Sequence, residues 1–121
     1  MSIQNYRDLI AWQKSMDLAE MVYQATAHFP ADERFGLTQQ MRRAVVSIPS
    51  NIAEGHARRS TQEYRRFLSI ANGSRAEIGT QVLLSARLKY FDDAQRANLI
   101  EQIEEVGRLI NGLLNSLPNR G

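Results

Sequence analysis

Residues 99–117, LIEQIEEVGRLINGLLNSL, divide apolar and polar side chains between opposite halves of a helical wheel. The polar half is rich in Glu, Arg and Asn. The apolar half consists of Leu99, Ile100, Ile103, Val106, Leu109, Ile110, Leu113, Leu114 and Leu117. This spacing is typical of an α-helix that buries one face. The segment therefore predicts a long amphipathic helix, capped by Asp92 or Asp93 and ending before Pro118.

Three more stretches with helical spacing precede this one, and almost no strand-like alternation is found. The first helix is predicted from about Tyr6 to His28 and the second from Gly36 or Thr38. The third follows Ser60-Thr61-Gln62-Glu63, which has the pattern of a capping box. Because the connections between four such helices are short, we expect an all-α fold, an antiparallel up-down-up-down four-helix bundle.

The second predicted helix contains Pro49, which cannot donate a hydrogen bond to the carbonyl of Val45 and crowds it. Apolar spacing continues beyond the proline to Ile52, so we expect the helix to kink at Pro49 rather than end there. Gly55 is then either the stop of the helix or a point of close approach by a neighbour.

The first predicted helix carries two apolar stripes on nearly opposite sides. One contains Trp12, Met16 and Tyr23, and we assign it to the core. A bundle helix needs only one buried stripe, so a second indicates contact with another subunit; the alternative is chance on a short wheel. We expect the oligomer interface to contain Ile10, Leu18, Met21 and Val22.

The composition is that of a single soluble domain spanning residues 1–121. The absence of cysteine excludes disulfides, thiolate metal sites and a cysteine nucleophile. The first residues lack the apolar run of a signal peptide, and no apolar segment is long enough to cross a bilayer. We therefore expect a cytoplasmic protein with no membrane partner.

Positive charge is concentrated in the middle of the chain: residues 34–75 carry eight arginines and two glutamates. The arginine fork suits phosphate and carboxylate alike, so the partner could be a nucleic acid or another protein, or the arginines could be solvated or paired within the fold. Few aromatic residues lie among them, which favours contact with the phosphate backbone over base stacking. The predicted nucleic-acid-binding residues, which could converge near one end of the bundle, are Arg42, Arg43, Arg58, Arg59, Arg65 and Arg66.

The sequence predicts no enzyme, no catalytic residues, no metal site and no cofactor. Glu54 and His56 are two residues apart and cannot share a helix face, so the spacing does not suit a metal centre. Glu77, at the margin of the core, could act as an acid or base, but structural pairing is the commoner outcome. Nucleophilic triads and glycine-rich phosphate loops are missing.

The run Ser47-Ile48-Pro49-Ser50-Asn51-Ile52-Ala53-Glu54-Gly55 resembles the signature of the four-helix-bundle proteins encoded within 23S rRNA intervening sequences. Accessory proteins of diversity-generating retroelements are similar. Further matches extend the resemblance over roughly residues 6–90, including Glu33 through Leu37 and Arg42 through Ala44.

The resemblance implies a bacterial cytoplasmic protein that forms a homopentameric ring. Members from retroelements are thought to bind nucleic acid and a reverse transcriptase through a basic surface, whereas the rRNA-encoded members have no settled role. We assign the signature to structure and expect a polar network among Asn51, Glu54, Ser74 and Glu77.

Taken together, these features predict a non-enzymatic, ring-forming helical protein that binds nucleic acid, RNA or an RNA–protein complex, through its arginine-rich surface. The alternative is a protein-interaction scaffold with no nucleic-acid role.

Overall fold

A computed structural model describes residues 5–118 and contains four helices, with no strand in that range. They are α1 (Ile10–Thr26), α2 (Leu37–Ala57), α3 (Thr61–Arg87) and α4 (Asp93–Ser116). Short 3-10 turns precede α1 (Tyr6–Asp8) and α2 (Ala31–Glu33). The predicted all-α fold is confirmed. Within the described range, none of the helices combines the length and apolarity needed to cross a membrane.

The helices pack around a square, with α2 touching α1 and α3, α4 touching the same two, and α2 diagonal to α4. As residue numbers increase along α2, the numbers of the contacting residues in α3 decrease, so these two helices run in opposite directions. These contacts join Met41 to Ser85, Ser47 to Ser74, and Gly55 to Phe67. We call the end at which α2 begins the upper end of the bundle and the end at which α2 finishes the lower end.

Two helices begin at the capping residues that the sequence predicts. The Ser60 hydroxyl accepts a hydrogen bond from the Glu63 amide, and Asp92 with Gln95 forms a full capping box at the start of α4. The first helix starts later than predicted, because Leu9 is extended between the 3-10 turn and α1. In α2 the helix continues through Pro49 to Ala57, so Gly55 does not stop it; a kink at Pro49 stays a prediction.

The buried face of α1 corrects the predicted oligomer interface. Leu18 and Val22 are fully buried in the core of their own chain, so they cannot meet another subunit. Ile10 is 59% exposed and Met21 is half-buried, and their role in assembly stays a prediction.

The wheel misplaced the core face because two polar residues, Ser15 and Thr26, lie within it. Both hydroxyls are satisfied locally, since Ser15 donates to the Trp12 carbonyl (2.8 Å) and Thr26 to the Val22 carbonyl (2.7 Å). When only apolar residues are considered, the single buried face therefore looks like parts of two separate stripes. In consequence Met16 and Tyr23, which we assigned to the core, lie partly on the surface.

Candidate nucleic-acid interface

The six arginines predicted to bind nucleic acid do not meet at one end of the bundle. Arg42 and Arg43 lie near the start of α2, whereas Arg58 follows its last residue. At 1.5 Å per residue, the helix between Arg43 and Ala57 is about 20 Å long. Arg59, Arg65 and Arg66 belong to the lower end with Arg58. The structure therefore divides the basic stretch into two separate groups.

At the upper end, a groove of about 590 Å³ opens along the exposed side of α2, and we call it the basic groove. Its lining residues are Tyr23, Arg34, Thr38, Gln39, Arg42, Arg43, Val46 and Ser47. Three arginines thus line one concave surface, and none of the lining residues is acidic. Such a surface attracts anions, because each added like charge raises the local potential.

Arg42 is held in place by the last turn of α1. Its Nε donates to the Thr26 hydroxyl (3.0 Å), and one Nη donates to the Tyr23 carbonyl (3.1 Å). The guanidinium carbon also lies 4.5 Å from the centre of the Tyr23 ring, a cation–π distance. Because a guanidinium has five N–H donors, Arg42 keeps donors for a ligand after making these bonds.

Arg34 and Arg43 are exposed, and the side chain of neither forms a hydrogen bond with another residue in the range 5–118. The Arg34 guanidinium lies 5.3 Å from the centre of the Phe35 ring. Sequence reasoning counted Arg34 in the basic stretch but did not single it out. The sequence pattern assigned Tyr23 to the core rather than to the site, because this ring comes from another helix and no local signal joins it to the arginines.

We call Arg58, Arg59, Arg65 and Arg66, at the lower end, the lower arginine group; Arg58, Arg65 and Arg66 make contacts within the fold. Arg58 pairs with Glu54 (3.1 Å) and Arg66 with Glu63 (3.3 Å). Both guanidiniums also lie over the Phe67 ring, at 5.0 and 4.7 Å from its centre.

Arg65 ties α3 to the end of α4. One of its Nη groups donates to the Leu114 carbonyl (2.9 Å), which lies in the last turn of α4. That turn has carbonyls with no donor inside the helix. Among the four lower arginines only Arg59 is both exposed and without a side-chain hydrogen bond to the described residues.

The predicted polar network exists only in part. Asn51 donates to the carbonyl and the hydroxyl of Ser47 (2.8 and 2.9 Å), and the Ser47 hydroxyl lies 2.9 Å from that of Ser74. Glu54 and Glu77 do not join it: Glu54 pairs with Arg58, and Glu77 accepts a long bond from Gln81 (3.5 Å). Both glutamates are exposed, and each finds its partner four residues further along the chain rather than on another helix.

A second groove, of about 380 Å³, runs between α1 and α2 and is mainly apolar; we call it the apolar groove. Its lining residues are Tyr6, Trp12, Met16, Ala19, Val46, Pro49, Ser50 and Ala53. Ile70 and Leu84 on α3 and Leu88 directly after it are also exposed apolar residues.

Two tyrosines have perturbed acidity, and neither lies in the basic groove. Burial raises the pKa of Tyr64. The hydrogen bond that Tyr90 donates to Glu33 (2.9 Å) raises the pKa of Tyr90, with burial and the charges of Glu33 and Asp32 adding to it. Across residues 5–118, no three His, Asp or Glu side chains are grouped so that they could hold a metal ion.

Comparison with known proteins gives the family of the chain but no curated relative. One solved structure, described as a protein with unknown function from the S23 ribosomal protein family of Bacteroides thetaiotaomicron VPI-5482, superposes with a TM-score of 0.79. It is 21% identical, and the alignment covers 88% of this chain and all of the other, which shows a shared fold. The search of curated proteins found no match. The sequence profile of the 23S rRNA-intervening sequence proteins matches residues 7–112, and the chain belongs to that family.

Proposed function

We propose that this protein is a non-enzymatic, homo-oligomeric RNA-binding protein that contacts RNA phosphates through the basic groove. The observation that carries the proposal is the groove itself, in which Arg34, Arg42 and Arg43 line one concave surface without an acidic neighbour among its lining residues. The lining includes no His, Asp, Glu or Lys; apart from the Tyr23 hydroxyl, it offers positive charge and hydrogen-bond donors rather than a general base.

The chemistry of the groove suits a phosphate backbone. Arginine forks donate two parallel hydrogen bonds to phosphate oxygens, and a donor that is already fixed, such as Arg42, loses little side-chain freedom on binding. Thr38 and Gln39 add neutral donors of the kind that position a nucleic acid without reading its sequence. The name of the family refers to 23S rRNA, which favours RNA as the first nucleic acid to test.

The test is a titration of labelled single-stranded RNA at several salt concentrations, comparing wild type with Arg34→Ala/Arg43→Ala. Loss of two phosphate contacts should lower the slope of log affinity against log salt by about 1.4, at roughly 0.7 per contact. The matched control is Arg96→Ala/Arg108→Ala, which removes the same charge from exposed positions on the diagonal helix α4. No binding by wild type at low salt would overturn the proposal, and so would an equal effect of both pairs.

The homo-oligomer is supported by two different apolar surfaces on one chain. The apolar groove is concave, whereas Leu84, in the last turn of α3, and Leu88, directly after this helix, are both exposed. Two unlike patches that fit each other make a head-to-tail contact, and such contacts form a ring when the rotation between successive subunits closes on itself. We place the leucines of one subunit in the apolar groove of the next, in a ring of five.

Assembly is tested by light scattering on wild type, Leu84→Glu and Leu83→Glu. Leu83 and Leu84 are each 46% exposed, but about 100° separates them around α3. We expect wild type at a multiple of 13.8 kDa, a shift towards the monomer for Leu84→Glu, and no shift for Leu83→Glu. A monomeric wild type would exclude the ring.

A protein-interaction scaffold is the second candidate, and the aromatic lining of the apolar groove favours it. Tyr6 and Trp12 lie edge to face, with ring centres 5.4 Å apart, and such residues are common anchors of protein interfaces. A monomeric wild type that fails to bind RNA would favour this function over the first.

A further inference from the structure

From the position of Tyr23 we infer that the basic groove takes single-stranded RNA and stacks one unpaired base on this ring. The inference rests on the proposed function, because the arginines must first hold the phosphates. It adds the class of RNA and the residue that selects it.

Tyr23 has the features of a stacking platform. It is 43% exposed, although it belongs to a helix whose other face is buried in the core. Arg42 lies against the ring at 4.5 Å and is itself bonded to the backbone of the same turn, so the ring is supported from one side. Stacking on an aromatic ring tolerates any base, because every base has a π-face.

The surface around Tyr23 has room for a base next to the phosphate contacts. The ring lines the basic groove and also a second, nearly apolar hollow of about 390 Å³. The residues of this hollow are Met16, Ala19, Glu20, Tyr23 and Gln24. A nucleotide that spans the ring would place its base against apolar carbon and its phosphate beside the guanidiniums. The two hollows therefore match the two chemical halves of one nucleotide.

The arrangement discriminates against duplex RNA. In a duplex the bases are already stacked on each other, and turning one out costs unstacking and unpairing energy. A single strand does not need to unpair, so it gains the stack on Tyr23 directly. Phosphate contacts alone would accept both forms. We therefore expect single strands to bind at least tenfold more tightly than a duplex of the same length.

The experiment uses single-stranded RNA containing 2-aminopurine, whose fluorescence falls when the base stacks on an aromatic ring. Affinity and fluorescence change are measured for wild type, Tyr23→Phe, Tyr23→Leu and the control Phe35→Leu. Phe35 is a suitable control because it is 78% exposed beside Arg34 but does not line the groove. Neither Tyr23 variant removes the carbonyl to which Arg42 donates, and circular dichroism checks that each variant is folded.

We expect Tyr23→Phe and Phe35→Leu to quench 2-aminopurine as wild type does. Tyr23→Leu should no longer quench 2-aminopurine and should bind the RNA about tenfold more weakly. The salt dependence of its affinity should be the same as that of wild type. Quenching retained by Tyr23→Leu, or equal affinity for the single strand and the duplex, would overturn the stacking inference and leave the proposed function intact. Absence of RNA binding at low salt would overturn both.

Discussion

The two ends of α2 are similar in arginine content but differ in what the arginines touch. At the upper end, Arg34 and Arg43 extend from the bundle beside a groove whose lining has no acid. At the lower end, Arg58 and Arg66 are each paired with a glutamate three or four residues earlier in the chain and lie over Phe67. Charge density is therefore a poor guide to function by itself, because the carboxylates and rings nearby decide how much charge remains for a ligand.

The lower end is a packing site, and the glycine of the signature shows this most clearly. A Cβ on Gly55 would lie 2.6 Å from the Phe67 Cβ and 3.1 Å from a Tyr64 ring carbon. Neither is the far end of a flexible side chain, so α2 and α3 would have to separate. Gly55 thus permits the close approach that the sequence left as one of two possibilities.

The largest expected effect is on stability. Gly55→Ala should lower the free energy of unfolding by about 2 kcal/mol, since overpacking costs typically 1–3 kcal/mol and exceeds the gain in helix propensity. The matched control is Gly73→Ala in α3, where no atom lies within 4 Å of an added Cβ. In Gly73→Ala the free energy of unfolding should rise by about 0.5–1 kcal/mol, because alanine favours the helix more than glycine does. Urea unfolding followed by circular dichroism measures both; equal effects of the two variants would contradict tight packing at the lower end.

The second prediction compares the two arginine groups directly. Arg34→Ala/Arg43→Ala should weaken RNA binding by about tenfold, which is about 1.4 kcal/mol. Arg58→Ala/Arg66→Ala removes the same charge, yet it should change the affinity by less than about threefold, because the partners Glu54 and Glu63 already offset these arginines. The measurement is fluorescence anisotropy with one RNA at one salt concentration. A larger loss from the lower pair would reverse the assignment.

Sequence patterns predicted the fold well wherever the signal was local. The capping residues Ser60 and Asp92 and the apolar spacing of α4 each depend on neighbours within four positions. The prediction of which face of α1 is buried was wrong. Ser15 and Thr26 are buried because their hydroxyls bond to carbonyls of their own helix, whereas a hydrophobicity pattern assigns both residues to the surface.

For the candidate site, the sequence predicted only that arginines are concentrated in one segment of the chain. The density of arginine between residues 34 and 75 indicated the part of the chain from which Arg34, Arg42 and Arg43 of the basic groove come. The split into two groups depends on the length of α2, and the pairing of Arg65 with the Leu114 carbonyl joins residues far apart in sequence. Tyr23 enters the groove from α1 for the same reason. Composition carries no information about such contacts between helices.

The smallest expected effect concerns Tyr64, whose ring packs beside Gly55 at the lower end. Its hydroxyl oxygen is buried and finds no hydrogen-bond partner within residues 5–118, and the His56 ring lies edge-on at 5.8 Å between centres. An unsatisfied buried hydroxyl costs free energy that its removal returns. Tyr64→Phe should therefore raise the free energy of unfolding at neutral pH by up to about 1 kcal/mol, measured in urea, whereas a loss would mean that the hydroxyl has a partner.

The same variant has a pH signature. Burial raises the pKa of Tyr64 in the folded state, so the unfolded chain releases this proton at lower pH than the folded one. The stability that this shift contributes is fully present below the unfolded pKa of about 10 and is lost as pH rises through the folded value. Tyr64→Phe has no proton to release there, so its advantage over wild type should widen above pH 10. The pKa of Tyr90 is also raised, but this residue is present in both proteins, so its contribution to the pH dependence of stability cancels in the comparison. A constant difference between pH 7 and pH 11 would show that Tyr64 titrates as it does in water, and that the lower end is more open than its packing around Gly55 indicates.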